Sequence, residues 1–262
     1  MDLALTIAKT GLDAHHRNLE IISNNLANSS TTAFKRNRGD FEDLPYQLIK
    51  PPGQPSNNDI ENPTGLMIGT GVKMSSNTKI FTDGPPVITD RDKSVRIQGR
   101  GFLQVQMPNG NTTGYTRDGE LQVNDQGQLT DHNGYIIQPP MTLPQGYTQL
   151  SIAQDGTVSA TSPGSNLPTQ IGQIQLADFM NTEGLQSVGQ NLYLETQASG
   201  QPVVGNPAQN GLGIILQGQL EGSNVNVVEE MVNLIEAQRA FEVTSKAISA
   251  ADNMLQYINQ TT

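Results

Sequence analysis

A chain of 262 residues can hold one large domain or two smaller ones, and an apolar share of 35% supports only a modest core. A net charge of -10, with fifteen basic residues that form no long run, excludes a phosphate-binding surface, so no nucleic-acid partner is expected. The lack of cysteine removes disulfides, thiolate nucleophiles and Cys-zinc sites, and no stretch approaches the roughly 18 apolar residues of a membrane span, so no membrane insertion is expected either.

The chain opens on Met1-Asp2-Leu3-Ala4-Leu5 without a basic leader and continuous apolar core, so a cleaved secretion signal is not expected. Leu5, Leu12, Leu19 and Leu26 then recur at seven-residue intervals, with Ala8, His15 and Ile22 three residues after the first three. That is the a/d stripe of a helix seeking a helical partner.

Residues 31–70 read as an extended or β linker. Within them, residues 46–65 run from Tyr46 through Pro51, Pro52, Pro55 and Pro63 among Gly, Ser, Asn and Asp. Proline fixes φ and removes amide donors, so this piece is expected to be irregular or extended.

The middle, residues 71–223, changes to short strands and turns. Asp83-Gly84, Asn109-Gly110, Asp118-Gly119, Asn133-Gly134, Asp155-Gly156 and Asn210-Gly211 are turn dipeptides in which Gly supplies positive φ. Val95-Arg96-Ile97 and Phe102-Leu103-Gln104-Val105-Gln106-Met107 partly alternate apolar and polar residues, as strands with one solvated face do. Thr196 to Asn210 reads as a polar loop.

The chain closes on a second heptad helix. Val227, Leu234, Phe241, Ile248 and Leu255 recur every seven residues, accompanied by Ala237, Thr244, Ala251 and Ile258. Asn226, with Glu229 three residues on, supplies its N-terminal cap. The terminal helices, residues 1–30 and 224–262, would each be some 40 to 50 Å long at about 1.5 Å per residue. They either pair within one chain or pack against the same ends of neighbouring copies. The fold class is therefore α+β, mainly β: two long terminal helices forming a coiled-coil-like pair, with an inserted β-rich domain.

Nothing in the sequence suggests catalysis or a cofactor. His15 and His16 face different sides of a helix, and His132 lies in a Gly-rich turn, so the histidines show no metal-ligand spacing. Gly69-Thr70-Gly71 and Gly99-Arg100-Gly101 lack the third glycine of a dinucleotide fingerprint. Asp125-Gln126-Gly127 lacks the spaced oxygen ligands of a calcium loop. Asp90 with Asp92, or Asp118 with Glu120, could form a glycosidase-like pair. That leaves an acidic β-rich cell-wall carbohydrate-binding or hydrolytic domain as the reading from a different class.

The segment Ser23-Asn24-Asn25-Leu26-Ala27-Asn28, followed by Thr32-Ala33-Phe34-Lys35-Arg36, resembles the signature of the bacterial flagellar rod and hook family. That family usually carries Gly where Ala33 stands. Ser223-Asn224-Val225-Asn226 through Val232 and Gln238-Arg239-Ala240-Phe241-Glu242 extend the resemblance to Met254-Leu255, nearly the whole chain. Chain length and the 46–65 insertion are similar to the distal-rod branch; other rod or hook-type subunits are the alternative within the family.

The resemblance implies a self-assembling tubular polymer that transmits motor torque and encloses the export channel, with the terminal helices as inner tube and residues 71–223 as outer β domain. It also implies passage through the flagellar export apparatus and a place in the periplasm-spanning rod of the basal body. Partners would be further copies of the chain, proximal rod proteins, the hook protein and the bushing rings of the peptidoglycan and outer membrane. Leu5, Leu12, Leu19, Ile22, Leu26, Val227, Leu234, Phe241, Ile248 and Leu255 would form the self-assembly interface, and Tyr46, Pro51, Pro52, Pro55 and Pro63 a rod-stiffening insertion.

Overall fold

The structure is a computed structural model that describes residues 2–51, 55–57, 60–61, 64–108, 112–162 and 167–261. Its contacts divide the chain into two compact units. One comprises residues 1–27, 37–79 and 226–262; the other comprises 28–36 and 80–225.

The first unit holds α1 (Asp2–Ala27) and α2 (Val227–Thr261), which pack against each other within one chain, so the intramolecular alternative is present. Asn226 caps α2 as its sequence suggests: its Oδ1 accepts the Val228 amide at 3.1 Å.

Residues 37–79 of the same unit form nested antiparallel ladders. β1 (Asn37–Asp43) pairs with β6 (Val72–Lys79), β2 (Tyr46–Lys50) with β5 (Leu66–Gly69), and β3 (Pro55–Asn57) with β4 (Ile60–Glu61). Where it is described, the proline-rich stretch is thus largely extended, as strands. Its prolines fit because Pro55 starts a strand and Pro51 follows one, where a missing amide breaks no ladder. Pro52 and Pro63 lie outside the described residues. By contacts β6 belongs with the helices, although the sequence division counts residues 71–79 with the β-rich domain.

The second unit contains short strands: β7 (Pro86–Ile88), β8 (Val95–Gln98), β9 (Phe102–Gln106), β10 (Thr113–Thr116), β11 (Leu121–Val123), β12 (Leu129–Asp131), β13 (Ile136–Gln138), β14 (Gln149–Ile152), β15 (Thr157–Thr161), β16 (Thr169–Gln173), β17 (Leu176–Asp178), β18 (Gln186–Gly189), β19 (Leu192–Leu194), β20 (Val203–Gly205), β21 (Ile214–Gln217) and β22 (Gln219–Glu221). A nine-stranded sheet runs β11-β12-β13-β9-β10-β19-β18, with β17 also on β9 and β20 beyond it. β20 falls in the stretch expected to be a loop. Its Val203 and Val204 pair with Asp178 and Ala177, so two β-branched residues outweigh polar surroundings.

The period of two decides where the cores sit. On β9, Leu103 and Val105 enter a cluster with Leu129, Ile137, Leu150, Val158, Ile174 and Ile215. Phe102 belongs instead to an aromatic cluster with Tyr115, Phe179 and Tyr193, packed edge to face at centroid separations of 4.8 to 5.9 Å.

Of the turn dipeptides, Gly134, Gly156 and Gly211 take φ of 85°, 84° and 80°, as expected. Gly84 and Gly119 are glycines for another reason. A Cβ on Gly84 would collide with the Gly222 carbonyl, and one on Gly119 with that of Val95. Asn109-Gly110 lies outside the described residues.

Candidate assembly interface

On α1 the heptad residues Leu5, Leu12, Leu19 and Leu26 are half-buried and Ile22 is buried. On α2, Leu234, Phe241 and Ile248 are half-buried, Ala237 is buried, and Val227 is exposed. The side chain of Leu255 lies outside the described residues. The seam is closed tightly enough that a Cβ on Gly11 would come within 3.8 Å of Thr244 Cγ2. α1 has a further buried face toward the hairpin: Ala14 and Ile21 are buried, and Thr10 Oγ1 accepts the Val72 amide at 3.4 Å. Most of the heptad residues are thus partly covered within the subunit and partly accessible.

Sequence periodicity passed over a second stripe. Val228, Val232, Ile235, Val243, Met254 and Tyr257 are all exposed on α2, Val228 at 71% and Val243 at 66%. Their spacings, each three, four or a sum of threes and fours, place them along one strip of helix, interrupted by Arg239 and Lys246. A heptad count assigns each helix one seam, and these residues fall between its a and d positions. The hairpin carries a comparable surface. Every residue of β2 is exposed, Tyr46, Leu48 and Ile49 among them, and Leu66 and Met67 opposite are exposed too. Such apolar area is more than scattered surface residues usually show.

The motif residues divide by role. Asn25 is fully buried. Its Oδ1 accepts the Asn37 amide at 2.8 Å while its Nδ2 donates to the Asn37 carbonyl at 2.8 Å and to Glu230 Oε2 at 3.4 Å. One amide side chain thus fixes the start of β1 and the first turn of α2 against α1. Asn24 and Ala27 are exposed, and Asn28 Oδ1 accepts the Thr31 hydroxyl at 3.2 Å. Ala33 has φ 55°, the left-handed conformation that Gly adopts without strain, and its amide donates to the Glu221 carbonyl at 2.8 Å.

Phe34 is buried, and Lys35 is wholly enclosed. Lys35 Nζ donates to Glu221 Oε1 at 2.6 Å and to the Thr82 carbonyl at 2.6 Å. Glu221 also accepts the Gly84 amide at 2.9 Å and Arg117 Nε at 3.0 Å; Arg117 continues to Asp83 Oδ1 at 3.0 Å. Burial and the neighbouring Arg117 guanidinium lower the Lys35 ammonium from its ordinary range. Asn224 completes the knot, accepting the Arg36 amide at 2.7 Å and donating to the Ile80 carbonyl at 2.8 Å. Residues 33–36, 80–84, 117 and 221–224, far apart in sequence, are tied at one place in the second unit.

Of the carboxylates that could form a hydrolytic pair, Asp90 and Asp92 are exposed, and Asp118 and Glu120 are engaged otherwise. Glu120 is bound by Arg91 at 2.8 Å, and Asp118 is enclosed. No described helix is long and apolar enough to cross a membrane.

Three family descriptions match the chain: "Flagella basal body rod protein" over residues 5–35, "Flagellar hook protein FlgE/F/G D1 domain" over 96–160 and "Flagellar basal body rod FlgEFG protein C-terminal" over 216–261. The flagellar basal-body rod protein FlgG of Buchnera aphidicola subsp. Acyrthosiphon pisum is 49% identical over 257 residues, 98% of each chain. That of Caulobacter vibrioides is 45% identical over 258 residues, again 98% of each chain, and that of Bacillus subtilis 31% over 252 residues, 94% of each. The chain belongs to the FlgG family of flagellar basal-body rod proteins. Two of the three matched regions cover the terminal helices, and the match over residues 5–35 also includes the motif whose Asn25 ties the first unit internally and whose Lys35 ties the second.

Proposed function

We propose that this chain is a structural subunit of the flagellar distal rod, assembling into a rigid tubular polymer that carries motor torque to the hook and encloses the export channel. Full-length similarity to FlgG proteins supports the rod assignment, and the exposed apolar stripe of α2 is the observation that carries self-assembly. The heptad residues bury one another chiefly within the subunit, and Val228, Val232, Ile235 and Val243 meet neighbouring copies. Each such side chain contributes about 1.5 to 3 kcal/mol when covered, so a repeated weak contact yields a stiff cylinder. Torque passes through packing, and no chemistry is required of the subunit.

The finer assignments follow the same reading. The subunit leaves through the flagellar export apparatus without signal cleavage and joins a rod that spans the periplasm. It abuts proximal rod proteins on one side and the hook protein on the other, inside the peptidoglycan- and outer-membrane-ring bushings. The hairpin of residues 46–65, apolar and exposed where described, stiffens the rod by filling space between neighbours.

Electron microscopy of basal bodies from a strain lacking this chain tests the assignment. A short rod ending in the periplasm without a hook is the expected result. A complete rod lacking only its hook would move the chain to the hook, and normal flagella would reject the assignment.

A further inference from the structure

The sequence shows no metal-ligand spacing, yet among the described residues one set of side chains is brought to coordination distance by the fold. We propose that Asp118, Asp131 and His132 form a binding site for one first-row transition dication, zinc being the best-fitting probe, which ties the β10–β11 turn to the β12–β13 turn. His132 Nδ1 stands 3.2 Å from Asp118 Oδ2 and 3.2 Å from Asp131 Oδ1. The three atoms lie within 4.8 Å of one another. Ligands held about 2.0 to 2.2 Å from a zinc ion are separated from each other by about 3.0 to 3.5 Å, a range that both imidazole–carboxylate separations meet.

The hydrogen bonding leaves a lone pair for it. Asp131 is oriented by the His132 amide on Oδ1 at 2.7 Å and by Asn133 Nδ2 on Oδ2 at 3.0 Å, the outer-shell support that metal carboxylates need. Asp118 Oδ1 accepts the Glu120 amide at 3.1 Å. Asp118 Oδ2, on a side chain only 4% exposed, faces the imidazole at 3.2 Å. Neither aspartate has a Lys or Arg partner there, since Arg91 is held by Glu120. Two buried carboxylates thus share one imidazole. A dication supplies the missing positive charge, the mixed nitrogen and oxygen set favours a transition metal over calcium or magnesium, and half-exposed His132 leaves room for water to complete the shell.

Isothermal titration of zinc sulfate into the full chain, made without a polyhistidine tag and stripped with a chelator, tests this. The expected result is one ion per chain, a melting temperature that rises with zinc, and binding weakened about 100-fold or more in both His132→Ala and Asp118→Asn. Asp118→Asn removes a buried charge and His132 is half-exposed, so both variants should fold as judged by circular dichroism. The double variant His15→Ala, His16→Ala should bind as the parent does. Binding weaker than about 1 mM in the parent, binding that survives His132→Ala, or binding lost with His15 and His16 would overturn the site.

Discussion

The unit built on residues 80–225 encloses Lys35, Arg117 and Glu221 and covers two hydrophobic clusters, whereas the unit built on α1, α2 and the hairpin leaves Val228, Ile235, Tyr46, Leu48 and Met67 in solvent. The first arrangement is complete in one chain. In the second, apolar stripes remain after α1 and α2 have paired, which is what the proposed covering by neighbouring copies requires. On the proposed function, stability and assembly belong to different residues, and substitutions should separate them.

The largest effect is expected at the buried ion network. Glu221→Ala would leave Lys35 and Arg117 enclosed without their shared counter-charge, a loss of about 3 to 5 kcal/mol that urea unfolding followed by circular dichroism should register in the β-rich unit. Ile22→Ala comes next. It removes a buried side chain from α1 and should cost about 2 to 5 kcal/mol of the helix unit's stability, seen as earlier loss of the 222 nm signal, with the unfolding of the β-rich unit little changed.

Ala33→Gly is smaller and opposite in sign. It relieves a left-handed Ala and should stabilise by about 0.5 to 1 kcal/mol in the same assay, whereas destabilisation would mean that the methyl group's packing outweighs the backbone strain. The smallest change in monomer stability is expected for Val232→Asp with Ile235→Asp, within about 0.5 kcal/mol each, because both side chains are already in water. Their effect should fall on polymerisation.

Local signals made much of this legible in the sequence. The heptad spacing marked both helices, Asn226 marked the start of α2, and Gly134, Gly156 and Gly211 marked turns. The missing features depend on long-range pairing. Nothing near Lys35 announces Glu221, and nothing near Asp118 announces His132; only strand order brings them together. Proline content concealed the hairpin, because its pairing is set by the ladders of β1 with β6 and β2 with β5 on either side. The second stripe of α2 was hidden by a stronger heptad on the same helix. Resemblance marks the motif residues, but their division into Asn25 as a latch and Lys35 as part of a buried ion network rests on partners distant in sequence.

The most direct test of this separation is to place Val232→Asp, Ile235→Asp in the chromosomal copy and examine basal bodies by electron microscopy, with circular dichroism of the purified variant alongside. A folded protein with rods that stop short and cells that do not swim is the predicted result. Rods of normal length on motile cells would contradict the claim that the exposed stripe of α2 is where subunits meet.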